Sequence, residues 1–275
     1  MGPVVEIHDV TDDRLADYRD LTDVALRTKI EGPHGLFIAE GARVIERAIA
    51  TGYQLRSVVM TPEWLERTEP SLAGSDAPIY LAAEPVLREL TGFHVHRGAL
   101  ASVHRQAPPD LATVLSGARR IALVENLVNH TNLGAVFRAA TALGIQAVVL
   151  SPSSADPLYR RSVRVSMGAV FTLPYARATS WPGDIERIRE TGFTVAALTP
   201  APGAVSLDEV VVADGDRLAV MIGTEGPGLS DAAVTAADFS VRIPMSPGVD
   251  SLNVAAAASV AFWALRDRTA PTADV

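Results

Sequence analysis

Residues 121–140 decide the fold class, and they read IALVENLVNHTNLGAVFRAA. The apolar run Ile121–Val124 predicts a buried strand, and the pattern over 132–143 predicts a helix. Near-continuous apolar strands then alternate with helices, which is typical of a parallel sheet covered on both faces. The further strands are expected at Ala147–Leu150, Val195–Leu198, Leu218–Ile222 and Val241–Ile243, and further helices near 183–191, 230–237 and 251–268.

The N-terminal part predicts a smaller α/β unit. Short apolar strands are expected at Leu36–Ala39, Val58–Met60 and Ile79–Leu81, with helical segments between them. Pro108 and Pro109 mark the best domain boundary, because two consecutive prolines interrupt regular structure. We therefore expect a first domain over 1–107, a linker over 108–118 and a second domain over 119–270.

Composition excludes several classes of protein. The chain has 275 residues, 48% of them hydrophobic and 20% charged, which excludes disorder as the main state. It has no cysteine, so disulfides, cysteine–zinc sites, iron–sulfur clusters and thiol nucleophiles are excluded. No apolar run reaches the length of a membrane span, and the acidic, mixed N-terminus is unlike a signal peptide. A cytoplasmic protein without a membrane partner is expected. The net charge of −8 argues weakly against a generally basic RNA-binding surface.

The first of three candidate loops follows the strand at 121–124. Asn132 and Gly134 would let a ligand approach the backbone, and Thr131 or Asn132 is expected to cap the helix. Arg138 lies four residues after Gly134 on a helix of small, apolar residues. A functional arginine and a solvated surface arginine are equally compatible with this spacing alone.

The other two loops also follow predicted strands. Residues 223–228 read GTEGPG, and residues 243–253 read IPMSPGVDSLN, with Ser251 as the expected cap of the last helix. Each loop alone is equally typical of a glycine-rich turn or of tight helix–sheet packing. Ligands bind at the carboxyl ends of strands in open α/β sheets, which gives all three loops one candidate location. Neither a P-loop nor a dinucleotide-binding fingerprint is present.

Together, the three loops resemble the three motifs of the SpoU/TrmH family, which are RNA ribose 2′-O-methyltransferases of the SPOUT superfamily. The order and spacing of Asn132, Gly134 and Arg138, then 223–228, then 243–253 carry this resemblance. The first domain also resembles the family's N-terminal RNA-binding domain of the ribosomal protein L30e type, through residues 37–41 and 92–101. The resemblance is closest to the ribosomal-RNA and antibiotic-resistance branches.

The resemblance implies an α/β SPOUT domain with a deep trefoil knot, and a homodimer with each active site at the subunit interface. It also implies S-adenosylmethionine as cofactor. The positions that match the family's cofactor pocket are Thr199, Gly223, Ile243, Met245, Ser251 and Leu252.

The family's catalytic arginine corresponds to Arg138. Arginine is almost never neutral in proteins, so we expect it to orient the ribose and phosphate rather than to act as an ordinary base. Asn132 is expected to hydrogen-bond near Arg138 or the ribose. Glu225 is expected to pair with Arg138 or to fix the glycine loop, and Asn253 to anchor the third loop.

Candidate RNA contacts lie outside these motifs. Arg160, Arg161 and Arg164 form the densest basic run, for which phosphate contacts are expected and a solvated helical face is the alternative. His94 and Arg97 are expected to contact RNA by stacking or through phosphates. No metal site is expected, since no third ligand lies near His94 and His96.

The sequence therefore predicts an S-adenosylmethionine-dependent RNA 2′-O-methyltransferase acting on ribosomal RNA. A tRNA-directed enzyme of the same family is the nearest alternative. A non-catalytic RNA-binding or ribosome-assembly protein is the second, and the presence of Asn132, Arg138, Glu225 and Asn253 argues against it. A nucleotide-dependent oxidoreductase is the third, and the missing Rossmann fingerprint argues against that.

Overall fold

The computed structural model describes residues 1–22, 31–93, 95, 98–213 and 215–269. The chain divides into two compact units. The first consists of Met1–Ala107 and Leu158–Phe171, and the second of Pro108–Pro157 and Thr172–Val275. None of the helices in the described part combines the length and hydrophobicity that a bilayer crossing requires.

Strands and helices alternate along most of the chain, as the sequence predicts. In chain order the strands are β1 (Val4–Ile7), β2 (Leu36–Glu40), β3 (Leu55–Met60), β4 (Ile79–Ala82), β5 (Ala99–His104), β6 (Arg120–Val124), β7 (Ala147–Leu150), β8 (Tyr175–Arg177), β9 (Phe193–Leu198), β10 (Val205–Ser206), β11 (Arg217–Ile222) and β12 (Phe239–Arg242). The α-helices are α1 (Ala42–Ala50), α2 (Pro62–Leu72), α3 (Glu84–Thr91), α4 (Leu111–Leu115), α5 (His130–Ala142), α6 (Arg160–Val165), α7 (Gly183–Glu190), α8 (Asp231–Ala236) and α9 (Val254–Ala264).

The first unit contains a five-stranded mixed sheet in the order β1-β4-β3-β5-β2. β1 and β3 run parallel to β4, whereas β5 runs antiparallel to both β3 and β2. Residues of β2 and β3 such as Ile38 and Val59 are buried in its core. β2 is therefore an edge strand, and α6 packs beside it.

A charged cluster lies at the carboxyl end of β2. Glu40 is buried, and its two carboxylate oxygens accept hydrogen bonds from Arg160 Nη1 at 2.5 Å and Arg164 Nη1 at 3.0 Å. The Arg160 side chain is only 11% exposed. Since a buried guanidinium needs a compensating charge, Glu40 is the residue that allows α6 to pack here.

The second unit contains a seven-stranded sheet in the order β10-β12-β9-β11-β6-β7-β8, and every pairing is parallel. Every residue of β6 and β7 is buried. Full burial of consecutive residues requires cover on both faces of the sheet. The predicted parallel α/β sheet is thus confirmed, and the trefoil knot stays a prediction.

The two units divide the chain differently from the domains that we expected. Residues 108–118 were expected to be a linker, but α4 lies there, capped by the Asp110 side chain, and its Val114 and Leu115 are buried in the core of the second unit. Residues 158–171 were expected in the second domain and instead belong to the first unit. The placement of residues 158–171 has no signal in local composition, because it depends on tertiary packing.

The Glu40 cluster yields the first prediction. Glu40→Gln removes the negative charge but keeps the shape, leaving Arg160 largely buried without a counter-charge. We expect a loss of about 3 kcal/mol in the free energy of unfolding, measured by urea titration with far-UV circular dichroism. Glu46→Gln on α1 is the control, with an expected change within about 0.5 kcal/mol. Equal unfolding free energies for the two variants would contradict this role of Glu40.

Candidate active site

Four loops of the second unit lie at one edge of its sheet. Strands β12, β9, β11 and β6 are consecutive neighbours and run parallel, so their carboxyl ends face the same way. The loops that follow begin at Thr199 after β9, Gly223 after β11, Glu125 after β6 and Ile243 after β12. The three predicted motifs therefore meet at the edge where open α/β sheets bind ligands.

The loop after β11 folds back on itself. Thr224 pairs with Gly228 in an isolated bridge, and Gly226 and Gly228 have φ angles of 86° and 74°. A Cβ atom at Gly223 would lie 2.3 Å from the carbonyl carbon of Gly228. This backbone contact requires glycine at position 223, and it leaves the loop's polar backbone groups beside the strand end.

A cavity of about 650 Å³ opens between the loops that follow β9, β11 and β12. This volume is typical of small-molecule sites. Glu225 and Asn253 line the cavity, together with the apolar side chains of Leu198, Leu229 and Val254. The lining also includes all six predicted cofactor residues, which are Thr199, Gly223, Ile243, Met245, Ser251 and Leu252. The structure thus brings these residues together, and their contact with a cofactor stays a prediction.

The side chain of Asn253 connects the three motifs. Its Nδ2 donates to Asn132 Oδ1 at 3.1 Å and to Glu225 Oε1 at 2.7 Å. Its Oδ1 accepts hydrogen bonds from the backbone N–H groups of Ala255 and Ala256, at 3.0 and 3.4 Å. One side chain thus begins α9 and also holds the first loop and the glycine loop to it.

The helix caps differ from those that we expected. Ser251 was expected to cap the last helix, and Thr131 or Asn132 to cap the first. Asn253 caps α9 instead, and the Asn129 side chain caps α5 by accepting from the N–H groups of Thr131 and Asn132. Ser251 lines the cavity.

Arg138 lies on α5 and is exposed to solvent. It makes no hydrogen bond or ion pair with any residue that the structure describes. The expected pairing with Glu225 is not formed, because the Glu225 carboxylate accepts from Asn253 instead. Neither Arg138 nor the buried Asn132 is among the cavity-lining residues. The guanidinium is therefore available to a ligand from solvent.

Glu125 is a supporting residue that sequence reasoning missed. It is buried at the end of β6, and its carboxylate accepts three hydrogen bonds from two other loops. Ser230 donates its backbone N–H and its hydroxyl, both at 2.7 Å, and Trp181 donates its indole N–H at 2.8 Å. Ser230 in turn caps α8, directly after the glycine loop. The available signal was an acidic residue placed immediately after a fully apolar strand.

The loop that carries Trp181 is held by a second carboxylate. Asp184 accepts hydrogen bonds from the backbone N–H groups of Thr179 and Ser180, each at 2.8 Å, and pairs with Arg187. Burial alone would raise the pKa of Asp184, but these hydrogen bonds and the arginine outweigh it and lower the pKa. Asp184 therefore stays ionised and fixes the loop from which Trp181 reaches Glu125.

The predicted RNA contacts lie in or near the first unit. Arg160 and Arg164 pair with Glu40, and their contact with RNA stays a prediction. Arg161 is exposed and has no partner among the described residues. His94 and Arg97 lie outside the described residues. Within the described part of the chain, no group of three or more potential ligands is placed to hold a metal ion.

Comparison with known proteins gives two family matches. A sequence model of the SpoU rRNA Methylase family matches residues 119–263, and one of the MRM3-like substrate binding domain matches residues 25–101. The tRNA/rRNA methyltransferase Rv0881 of Mycobacterium tuberculosis is 43% identical over 261 residues, covering 94% of this chain and 91% of that protein.

Two further relatives have more specific names. The 23S rRNA (guanosine(2553)-2′-O)-methyltransferase RlmP of Bacillus subtilis is 25% identical over 95% of this chain and 99% of its own. The structure of the SpoU methyltransferase AviRb of Streptomyces viridochromogenes, solved in complex with its cofactor AdoMet, matches with a TM-score of 0.77. It is 26% identical and covers 92% of this chain and 97% of that one.

The contacts of Glu125 yield the second prediction. Glu125→Gln removes the charge that accepts from Ser230, so the start of α8 and the adjoining glycine loop should open more often. Because a hydrogen bond to a charged group contributes about 1.5–3 kcal/mol, we expect at least about tenfold faster amide hydrogen exchange over residues 228–234. Mass spectrometry of peptic fragments measures this exchange. Glu186→Gln, on the exposed face of α7, is the control, and exchange in 228–234 that matches this control would contradict the supporting role.

Proposed function

Because the chain belongs to the SpoU rRNA methylase family, we propose that it transfers a methyl group from S-adenosylmethionine to a ribose 2′-hydroxyl of ribosomal RNA. Membership makes it an RNA methyltransferase. The single observation that carries the finer proposal is the Asn253 amide, which joins all three motif loops beside one cavity. A ribosomal RNA substrate also implies a cytoplasmic enzyme.

The cavity suits a nucleoside cofactor. Its apolar side chains, including Ile222, Leu229 and Val254, can cover an adenine ring, and the glycine loop presents backbone groups that can hydrogen-bond it. Thr199, Ser251 and the backbone around Leu252 add polar groups to the cavity lining. S-Adenosylmethionine supplies an electrophilic methyl group on a sulfonium sulfur.

The protein's own task is to align the 2′-hydroxyl and to assist loss of its proton, because this hydroxyl is a weak nucleophile at neutral pH. Arg138 is the proposed residue for this task. An arginine side chain keeps its positive charge in proteins and presents several N–H donors, so it can hold the phosphate and stabilise the developing negative charge on oxygen. The guanidinium is exposed and has no partner among the residues that the structure describes, which supports this role.

The other three residues of the site, Asn132, Glu225 and Asn253, have a positioning role. Asn253 fixes the orientation of Glu225 and Asn132 through its two donated hydrogen bonds. Glu225 then stays at the cavity wall rather than neutralising Arg138. Asn132 lies in the first turn of α5, the helix that carries Arg138, so the same contact sets the position of that helix.

Transfer RNA is the second candidate substrate. Rv0881 is named for either tRNA or rRNA, whereas RlmP is named for 23S rRNA. The assay described below distinguishes the two candidates, because it shows which RNA accepts the methyl group.

An apolar stripe on α9 supports the proposed homodimer. The helix carries no charged residue, yet Val260 is 41% exposed and Trp263 is 57% exposed. Together with the exposed Ala256, these residues recur at three- and four-residue spacing and therefore share one face of the helix. An apolar face of this kind is typical of a self-association surface. Because it begins beside Asn253, dimerisation would place the partner close to the cavity.

The role of Arg138 yields the third prediction. Arg138→Ala should abolish transfer of label from S-adenosylmethionine to unmodified 23S transcript, with the rate falling by at least about a hundredfold. Calorimetry should give an unchanged affinity for S-adenosylmethionine, since Arg138 does not line the cavity. Transcripts of 16S rRNA and tRNA are tested in parallel with the unaltered protein.

The matched control is Arg189→Ala, an exposed arginine paired with Asp238 on the same unit, which should keep its activity. Retained turnover by Arg138→Ala would contradict the assigned role. Label in tRNA alone would show that tRNA, rather than ribosomal RNA, is the substrate. No label in any of these RNAs or in intact ribosomal subunits would overturn the proposed function.

The α9 stripe yields the fourth prediction. Val260→Glu places a charge in the stripe, so light scattering should report the 29.1 kDa monomer in place of a particle of twice that mass. Val211→Glu is the control, because Val211 is 92% exposed and lies outside α9. A monomeric unaltered protein, or an unchanged dimer in Val260→Glu, would contradict the proposed interface.

A further inference from the structure

The basic residues of the first unit are unevenly distributed. Residues 1–107 contain 16 acidic and 11 basic residues, so the net charge of this stretch is negative. The segment 158–171, which belongs to the same unit, contributes three arginines and no acidic residue. This segment therefore adds a local positive charge to an otherwise acidic unit.

The segment packs against α1, which brings a second pair of arginines beside it. Arg47 donates from Nη1 to the carbonyl of Met167 at 2.5 Å. A Cβ atom at Gly168 would lie 3.2 Å from Cδ of Arg47, so the Arg47 side chain packs directly against Gly168. Arg43 lies one turn before Arg47 on the same face of α1. We define the arginine patch as Arg43, Arg47, Arg160, Arg161 and Arg164.

The buried Glu40 fixes two arginines of the patch, Arg160 and Arg164. It ends β2 one residue before Gly41, the N-cap of α1, and it accepts from both Arg160 and Arg164. Arg160 is used internally, since its guanidinium also stacks 4.3 Å from the centroid of the Phe93 ring. Arg164 remains 47% exposed, so part of its guanidinium still faces solvent.

Two arginines of the patch have guanidinium N–H donors that no described residue accepts. Arg43 and Arg161 are exposed and have no hydrogen-bond or ion-pair partner among the described residues. Arg161 and Arg164 are three residues apart on α6 and are therefore neighbours on its surface. Around these groups the acidic side chains on β2 and α1 are Glu40, which is already paired, and Glu46, which leaves the patch with a net positive charge.

We propose that the arginine patch is the surface of the first unit that holds the phosphate backbone of the RNA substrate, with Arg43, Arg161 and Arg164 in direct contact. This inference rests on the proposed function. Planar guanidinium groups bind phosphate oxygens through paired N–H donors, and such contacts position RNA without reading its bases. An acidic protein can thereby bind a polyanion, because the local charge decides the contact.

The fifth prediction tests the patch by the salt dependence of RNA binding. The probe is unmodified 23S transcript, and its Kd is measured by filter binding between 50 and 200 mM KCl with the full-length protein. Each phosphate contact contributes about 0.7–0.9 to the slope of log affinity against log salt concentration. Arg43→Gln/Arg161→Gln should therefore lower the slope by about 1.4–1.8 and weaken binding at 100 mM KCl by about tenfold. Its affinity for S-adenosylmethionine should not change.

Arg88→Gln is the matched control. Arg88 is an exposed arginine of the first unit that lies on α3 and is not part of the arginine patch. The Arg88→Gln variant should therefore have the same slope as the unaltered protein. An unchanged slope in the double variant, or an equal decrease of the slope in Arg88→Gln, would contradict phosphate binding by the arginine patch. Neither result would contradict the proposed methyl transfer. If the unaltered protein transfers no methyl group to RNA, the proposed function fails whatever the slopes are.

Discussion

The hydrogen-bonding capacity of one amide group constrains the whole site. The side chain of Asn253 has one acceptor oxygen and one NH₂ group with two donors. The oxygen begins α9, and the two donors hold Asn132 and Glu225, so each part of the group has a defined partner. Neither aspartate nor serine supplies this combination, because an ionised carboxylate has no donor and a hydroxyl has only one. The loops after β6, β11 and β12 therefore share a geometry that depends on a single residue.

A second layer of contacts supports this arrangement from behind. Glu125 connects the end of β6 to the start of α8, and Asp184 fixes the loop that supplies the Trp181 donor. Both carboxylates are buried and satisfied by N–H or O–H donors. Such groups are already oriented in the folded protein, so they stabilise a polar site without the reorientation that water molecules would need. The glycine loop is thus held at both ends, by Asn253 at Glu225 and by Glu125 at Ser230.

The sequence predicted the second unit well because its strands are apolar over their whole length. The runs at 121–124, 147–150 and 218–222 correspond closely to β6, β7 and β11. The small residues of β5 gave a weaker signal, and the placement of 158–171 in the first unit gave none, because it depends on a buried ion pair with Glu40. The cap residues were misassigned since several serine, threonine and asparagine side chains stand close together at both helix starts. The arginine run at 160–164 was identified from charge alone, but burial divides it into an internal and an external part.

The central claim is that these loops form a site for methyl transfer to a ribose oxygen, and the identity of the methylated atom tests it most directly. Unmodified 23S transcript or ribosomal subunits are incubated with the protein and S-adenosylmethionine, digested to nucleosides and analysed by mass spectrometry. The account predicts a single nucleoside with the added methyl group on its ribose. A methyl group on the base would contradict it, since the site would then have to align a base atom rather than a 2′-hydroxyl.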